Sequence, residues 1–224
     1  MTPIRRAVSE GLGTALLLAA VVGSGIMGDR LAGGNVAVAL LANTLSTAAA
    51  LVVLILIFGP VSGAHFNPVV TAVETLAGRL SSTDAAIHFG AQFVGAFAGV
   101  AAAHVMFDLP VPAISQTVRA GPAQVFSEAV ATFGLVLTIL RVSRSRPEAV
   151  PYAVGLYIAS AYWFTASTSF ANPAVTLARC VTDTFAGIRP IDVLGFVLGQ
   201  CVGAAFAVAT AKCLNGPGDR AETV

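Results

Sequence analysis

Six apolar stretches, at approximately 8–28, 36–58, 85–107, 122–142, 150–168 and 192–214, take up most of this 224-residue chain. A hydrocarbon core about 30 Å thick takes roughly 20 helical residues to cross, and each stretch comes close to that length. Charged residues make up only 10% of the chain, too few to solvate so much apolar surface in water. In hydrocarbon every backbone N–H and C=O must find a partner within the protein, which leaves helices or a closed barrel. Apolar runs this long are helical, so the predicted fold is an all-α membrane protein with six transmembrane helices. Arg5 and Arg6 precede the first stretch in the manner of a signal peptide, but Glu10 interrupts it and five more crossings follow. It is read as a retained membrane helix.

Six crossings put both termini on one face. Arg5, Arg6, Arg79, Arg141, Arg144, Arg146, Lys212 and Arg220 fall on that face, against Arg30, Arg119, Arg179 and Arg189 on the other. The positive-inside rule then makes the termini cytoplasmic. The RVSRSR run at 141–146 reads as a topogenic loop, with binding of anionic lipid as the other reading. A net charge of +1 supplies no basic surface for nucleic acid. Two further apolar segments, 66–78 and 171–181, are too short to span, since about 12 helical residues rise only about 18 Å. They are predicted to be re-entrant half-helices. Non-helical backbone at that depth is tolerated only where protein buries it or where it lines a wet cavity, which argues for a pore. The segment 215–224, NGPGDRAETV, reads as a flexible tail.

An internal repeat orders these pieces into one membrane domain. The first half contains Ser9-Glu10, Asn67-Pro68 and Gln92-Phe93-Val94-Gly95-Ala96; the second contains Ser127-Glu128, Asn172-Pro173 and Gln200-Cys201-Val202-Gly203-Ala204. The repeats run approximately over 5–110 and 120–214. Each holds three crossings, an odd number, so the second copy enters the membrane from the opposite face and the repeat is inverted. Gly95 with Gly99, and Gly199 with Gly203, are small-xxx-small pairs suited to close helix packing.

The paired dipeptides lie in SGAHFNPVVT at 62–71 and TSFANPAVT at 168–176. Asn is a good helix N-cap and Pro a good first helical residue, so one such pair marks only a helix start. Two copies, each opening a half-length helix at matching places of an inverted repeat, carry more. Across about residues 5–214 the sequence resembles the aquaporin, or major intrinsic protein, superfamily. That resemblance implies six membrane helices plus two re-entrant half-helices, a homotetramer with one pore per subunit, and a bacterial inner-membrane location. It also implies that the boxes Asn67-Pro68-Val69 and Asn172-Pro173-Ala174 meet at mid-membrane. There the two amides would bond to a passing solute, and the half-helix N-termini, about half a positive charge each, would repel cations. Val69 stands where alanine is usual.

The resemblance further implies a selectivity ring of four positions. The one just after the second box, usually arginine, is Val175; the one three residues before its asparagine is Ser169; those on the second and fifth crossings fall on Thr47 and Ser160. Such a ring is small and uncharged, lacks the usual aromatic and the usual arginine, and is expected to be wide. Arg179, one helical turn beyond Val175, is expected in the outer vestibule, capping loop carbonyls or pairing with Asp183, with replacement of the filter arginine as the other reading. The stretch AYWFTASTSFANPAVTLAR at 161–179 is most similar to a bacterial aquaglyceroporin-like branch associated with arsenic resistance. Arsenous acid is neutral near pH 7, carries hydroxyls and is close to glycerol in size; the same ring would admit glycerol, urea or water.

Glu10 and Glu128 are acids in membrane helices, where ionisable groups are costly. They are read as acceptors for loop backbone, as in the resembled family, with a proton relay as the competing role. Glu74 is expected at the cytoplasmic mouth, His65 packed in its loop, and His88 and His104 at the interfaces. Cys180, Cys201 and Cys213 have no metal-ligand spacing, and neither metal nor cofactor is expected. No nucleophile, base and orienting group come together, which disfavours an enzyme. The expected function is passive passage of small uncharged solutes. A secondary active transporter also uses inverted repeats and broken helices, but it wants a titratable group at mid-depth where this chain has amides. A non-conducting scaffold is the third reading, and the small ring residues argue against its occluded pore.

Overall fold

The computed structural model describes residues 1–214, so the tail expected at 215–224 lies outside the described residues. These residues fold into α1 (Pro3–Leu31), α2 (Val36–Ser62), α3 (Pro68–Leu76), α4 (Ser82–Met106), α5 (Pro122–Ser145), α6 (Val150–Phe164), α7 (Pro173–Ala178) and α8 (Val193–Cys213). Starts follow local chemistry. Thr2, Asn35 and Ser81 cap α1, α2 and α4 with side-chain oxygens that accept backbone N–H groups, and Pro3 and Pro122 open α1 and α5. Gly63, at φ 89°, ends α2 in the left-handed region that favours glycine.

Among the described residues five helices, α1, α2, α4, α5 and α8 with its leading 3-10 turn, are long and apolar enough to cross a membrane. The fifth expected crossing is shorter than its sequence suggests. Helix α6 has 15 residues and rises about 22 Å, with a 3-10 turn at Pro147–Ala149 ahead of it. It stops at Phe164 and not at 168, because Thr165 adopts extended backbone (φ −107°, ψ 139°) and starts the loop into the second box. The half-helices are also trimmed. Pro68–Leu76 replaces 66–78, and Pro173–Ala178 followed by a 3-10 turn at Arg179–Val181 replaces 171–181.

Helix α1 packs against α2 and α4, α5 packs against α6 and α8, and α2 meets α6 across the two halves. Glycine sets the closest approaches. A Cβ on Gly95 would strike the Gly11 carbonyl, and one on Gly203 the Ala129 carbonyl, so α4 on α1 and α8 on α5 are the same contact made twice. The half-helices α3 and α7 touch each other, and each also touches a long helix of the opposite half: α3 meets α8 and α7 meets α4.

Polarity is arranged inside out. Leu12, Leu16, Leu41, Leu45, Val53, Ile57, Val94, Leu198, Val202 and Phe206 are exposed, as suits a surface in hydrocarbon. Glu10, Gln92, Thr71, Glu128, Gln200 and Thr176 are all fully buried. Such a centre is stable only if its polar atoms are bonded to one another, and here they hold two loops.

Candidate functional site

The loops before the boxes are strained in the same way. Ala64 (φ 51°) and Phe66 (φ 48°) in the first match Ser169 (φ 51°) and Ala171 (φ 47°) in the second; all are non-glycine residues in the left-handed region. Each such residue costs on the order of 1–3 kcal/mol unless its surroundings over-determine it. A buried carboxylate does that in each half. Glu10 accepts from the N–H groups of His65 (3.0 Å) and Phe66 (2.8 Å), and Glu128 from those of Phe170 (2.9 Å) and Ala171 (2.8 Å). Gln92 Nε2 then donates to Glu10 (2.7 Å) and to Thr71 Oγ1 (2.9 Å); Gln200 Nε2 donates to Glu128 (2.6 Å) and to Thr176 Oγ1 (2.8 Å). Thr71 and Thr176 had no role in the sequence reading. Their signal was there, since each closes its box motif four residues after the asparagine.

Held this way, the loops deliver the two asparagines to each other's box. Asn67 Nδ2 donates to the Ala171 carbonyl at 2.7 Å, and Asn172 Nδ2 donates to the Phe66 carbonyl at 2.7 Å. Asn67 Oδ1 caps α3 by accepting from Val69 N (3.0 Å), and Asn172 Oδ1 caps α7 by accepting from Ala174 N (3.0 Å) and Val175 N (3.2 Å). An amide nitrogen carries two hydrogens, and one on each is used in this crossed pair. Both asparagines line the central cavity, so each has a second N–H for a solute.

That cavity occupies about 1230 Å³ and runs from a mouth at Glu74, Arg79, Arg141, Arg144 and Lys212, past the two asparagines, to Tyr162 and Arg179. One wall is apolar, made by Leu17, Val21, Leu51, Ile55, Leu135 and Ile158 from the long helices; the other is the polar loop backbone at 63–67 and 169–172. An apolar wall opposite a ladder of carbonyls and amides suits a molecule with hydroxyls on one side. At the mouth Arg79 grips Glu74 through Nε (2.7 Å) and a terminal nitrogen (2.8 Å). Glu74 thus stands in an ion pair, not alone in solvent. Its hydrogen-bonded carboxylate raises the Arg79 guanidinium above its ordinary value, against the opposing effect of burial.

Of the four ring positions read from the sequence, Thr47, Ser169 and Val175 line the cavity and Ser160 does not. Ser160 is exposed on the outer face of α6. Ile158 and Tyr162 point inward from that helix, and the Tyr162 hydroxyl reaches Thr47 Oγ1 at 3.5 Å. An aromatic is therefore present. An arginine stands in the cavity wall too, four residues beyond the box-adjacent Val175. Arg179 is 3% exposed and lines the cavity. Its Nε donates to the Ala186 carbonyl, and its guanidinium carbon lies 3.4 Å from the centre of the Phe170 ring. Its hydrogen-bond partner is thus a loop carbonyl, while Asp183 accepts from the Gln116 backbone (2.9 Å). The Ser169 hydroxyl is buried and has no hydrogen-bond partner among the described residues.

The histidines are held by side-chain and loop contacts. His65 lines the cavity and bonds Thr71 Oγ1 at 3.0 Å. His88 and His104, towards opposite ends of α4, are buried against the protein: His88 stacks edge-on against His65 with ring centres 5.1 Å apart, and His104 bridges the Pro110 carbonyl (2.5 Å) and Thr182 Oγ1 (2.7 Å). Pro110 is a near neighbour, whereas Thr182 comes from the second half, 78 residues away, a contact that no local pattern could disclose.

The model of the family described as major intrinsic protein matches residues 1–148 and, in a second match, 142–224. The chain is 60% identical over 213 residues to "Aquaglyceroporin AqpS" of Rhizobium meliloti (strain 1021), covering 95% of this chain and 91% of that protein. It is 30% identical to "Aquaporin A" of Dictyostelium discoideum over 92% of this chain and 77% of that one. Among solved structures, the aquaglyceroporin from Plasmodium falciparum superposes with a TM-score of 0.70 at 18% identity, over 94% of this chain and 96% of that one, a likeness of fold. With a duplicated set of buried glutamates, crossed asparagine boxes and a cavity between them, this multi-pass membrane protein belongs to the major intrinsic protein family of channels.

Proposed function

We propose that this chain conducts small uncharged hydroxylated solutes passively, glycerol and arsenous acid among them, through a ring formed by Thr47, Tyr162, Ser169, Val175 and Arg179. One observation carries the reading: the crossed Asn67 and Asn172 amides, each with a donor to spare, stand on a cavity wall whose other side is apolar. A neutral polyol exchanges its water contacts for those amides, the free Ser169 hydroxyl and the loop carbonyls, and lays its carbon side on Leu51, Ile55 and Ile158. A cation meets two half-helix N-termini and Arg179. The 60% identical relative is named an aquaglyceroporin, which favours glycerol-sized solutes over water alone. Val175 keeps its own side of the ring apolar where a box-adjacent arginine would crowd it, and arsenous acid, similar in size to glycerol and rich in hydroxyls, fits the same contacts. The basic mouth is assigned to the cytoplasmic side of a bacterial inner membrane, with four chains assembled side by side, one pore each.

Reconstituted liposomes test this in one panel. Shrinkage and reswelling against glycerol, urea and arsenous acid should all be faster than in empty vesicles and should not respond to an imposed ion gradient. Water flux without any flux of the larger solutes would overturn the solute assignment, and gradient-dependent flux would overturn the channel. Crosslinking in mild detergent should give a four-subunit ladder, and monomer alone would remove the tetramer.

A further inference from the structure

The cavity arginine does not hold its place alone. Arg119, in the segment that joins the two halves, sends its Nε to the Gly187 carbonyl (2.8 Å), one terminal nitrogen to the Phe185 carbonyl (3.3 Å), and the other to the Ser167 carbonyl (3.3 Å) and Thr168 Oγ1 (3.4 Å). Residues 185 and 187 flank Ala186, whose carbonyl takes Arg179 Nε. Arg119 also lies on Phe170, its guanidinium carbon 4.9 Å from the centre of the ring on which Arg179 rests at 3.4 Å. It therefore touches the carbonyl strand that Arg179 bonds and the aromatic ring that Arg179 stacks on. Its own backbone N–H is fixed to Asp192 at 2.9 Å, while the Asp192 carboxylate pairs with Arg189 (3.0 and 3.1 Å). The acceptors bonded to the Arg119 guanidinium are all neutral oxygens, three carbonyls and one hydroxyl.

We infer that Arg119 is a positioning residue for the channel: by clamping the carbonyls of Phe185 and Gly187 and backing Phe170, it holds Arg179 at the pore wall and so sets which solutes pass. This rests on the reading of Arg179 as part of the ring. A planar fork with five donors can make this clamp; a lysine carries the same charge but cannot span four acceptors. Only the cavity-facing nitrogens of Arg179 meet solute, and Arg119 acts through them.

The experiment measures the ratio of a four-carbon polyol flux to water flux in liposomes at matched protein density, for wild type, Arg179→Ala, Arg119→Gln, Arg119→Lys and the double variant Arg119→Gln/Arg179→Ala. Arg179→Ala should raise the ratio several-fold. Arg119→Gln and Arg119→Lys should each reproduce most of that rise, and the double variant should add little to Arg179→Ala. Phe170→Leu, which keeps an apolar side chain and removes the ring face, should do the same and serves if the Arg119 variants fail to fold. A changed ratio in Arg179→Ala with wild-type ratios in the Arg119 and Phe170 variants overturns the positioning role and leaves the ring standing. An unchanged ratio in Arg179→Ala removes the ring arginine, and with it the group to be positioned. Full rescue by Arg119→Lys, or additive effects in the double variant, would show that Arg119 acts by charge alone or by itself, and either overturns the inference.

Discussion

The two halves use one scaffold and finish it differently. In both, a buried glutamate takes the two N–H groups before the asparagine, a glutamine ties that glutamate to a threonine of the half-helix, and the asparagine crosses to the other loop. Ser62, which donates to Glu10 at 2.6 Å, has its counterpart in Ser167 beside Glu128. The first half adds His65, bonded to Thr71; its half-helix runs nine residues and ends near the Glu74–Arg79 ion pair at the mouth. The second half runs only six helical residues before tightening to a 3-10 turn that brings Arg179 back onto Phe170. What is duplicated keeps two strained loops in place; what differs gives the pore its two unlike ends.

The shared part should be the costlier to break. Glu128→Ala leaves the N–H groups of Phe170 and Ala171 and the Gln200 amide without their acceptor in a buried site. Orphaned buried donors cost about 1–3 kcal/mol each, so a loss of roughly 3 kcal/mol or more is expected, seen as little folded protein after membrane extraction. Glu10→Ala should behave alike. If one variant folds normally and the other does not, the halves are not mechanically equivalent and the comparison fails at its base.

Helix contact comes next in size. Gly203→Val and Gly95→Val drive side chains into the backbone of Ala129 and Gly11. Overpacking of this kind costs about 1–3 kcal/mol. Gly90 has open space around its Cβ direction, and Gly90→Ala should be neutral or slightly stabilising because alanine is the better helix former. Thermal unfolding in one detergent ranks all three; equal losses in the Gly90 and Gly203 variants would mean that close approach is not what these glycines provide.

Thr71→Val and Thr176→Val separate the copies more finely. Both lose the glutamine bond, worth about 1 kcal/mol, but Thr71 also partners His65 whereas Thr176 returns its hydroxyl to the Asn172 carbonyl of its own helix (2.7 Å). Thr71→Val should therefore lower the unfolding temperature more. An equal drop would make the histidine contact energetically silent.

Much of the shared part was legible in the sequence because a duplication writes each of its residues twice: Glu10 with Glu128, Asn67 with Asn172 and Gln92 with Gln200 stand in matching motifs. The unshared part was not. Ser160 and Tyr162 are two residues apart, about 200° around a helix, so a small error in counting along α6 exchanges the lipid face for the pore face. Arg179 was placed outward by continuing α7 as a regular helix, and the 3-10 turn at Arg179–Val181 changes where that side chain points. The burial of His104 depends on Pro110 and Thr182, the latter 78 residues away in sequence, and nothing in the pattern around His104 carries that contact. Arg119 sits between the repeats and so has no copy to draw attention to it.

The smallest expected effect is at the mouth, and it tests whether an arginine near a half-helix end matters by being there or by being held in the wall. Arg79 makes two short bonds to Glu74, yet its side chain is 51% exposed, and exposed ion pairs contribute only about 0–1 kcal/mol once screening and side-chain ordering are counted. Arg79→Gln and Glu74→Gln should each shift stability by less than about 1 kcal/mol, with a coupling in the double variant that weakens as salt is raised. The mouth is shared among Arg79, Arg141, Arg144 and Lys212. Removing one charge there should leave the polyol-to-water flux ratio at its wild-type value, in contrast to Arg179→Ala. Flux at low and high salt decides the matter: if Arg79→Gln moves the ratio as far as Arg179→Ala, selectivity is spread along the whole cavity and does not reside at the end where the halves differ.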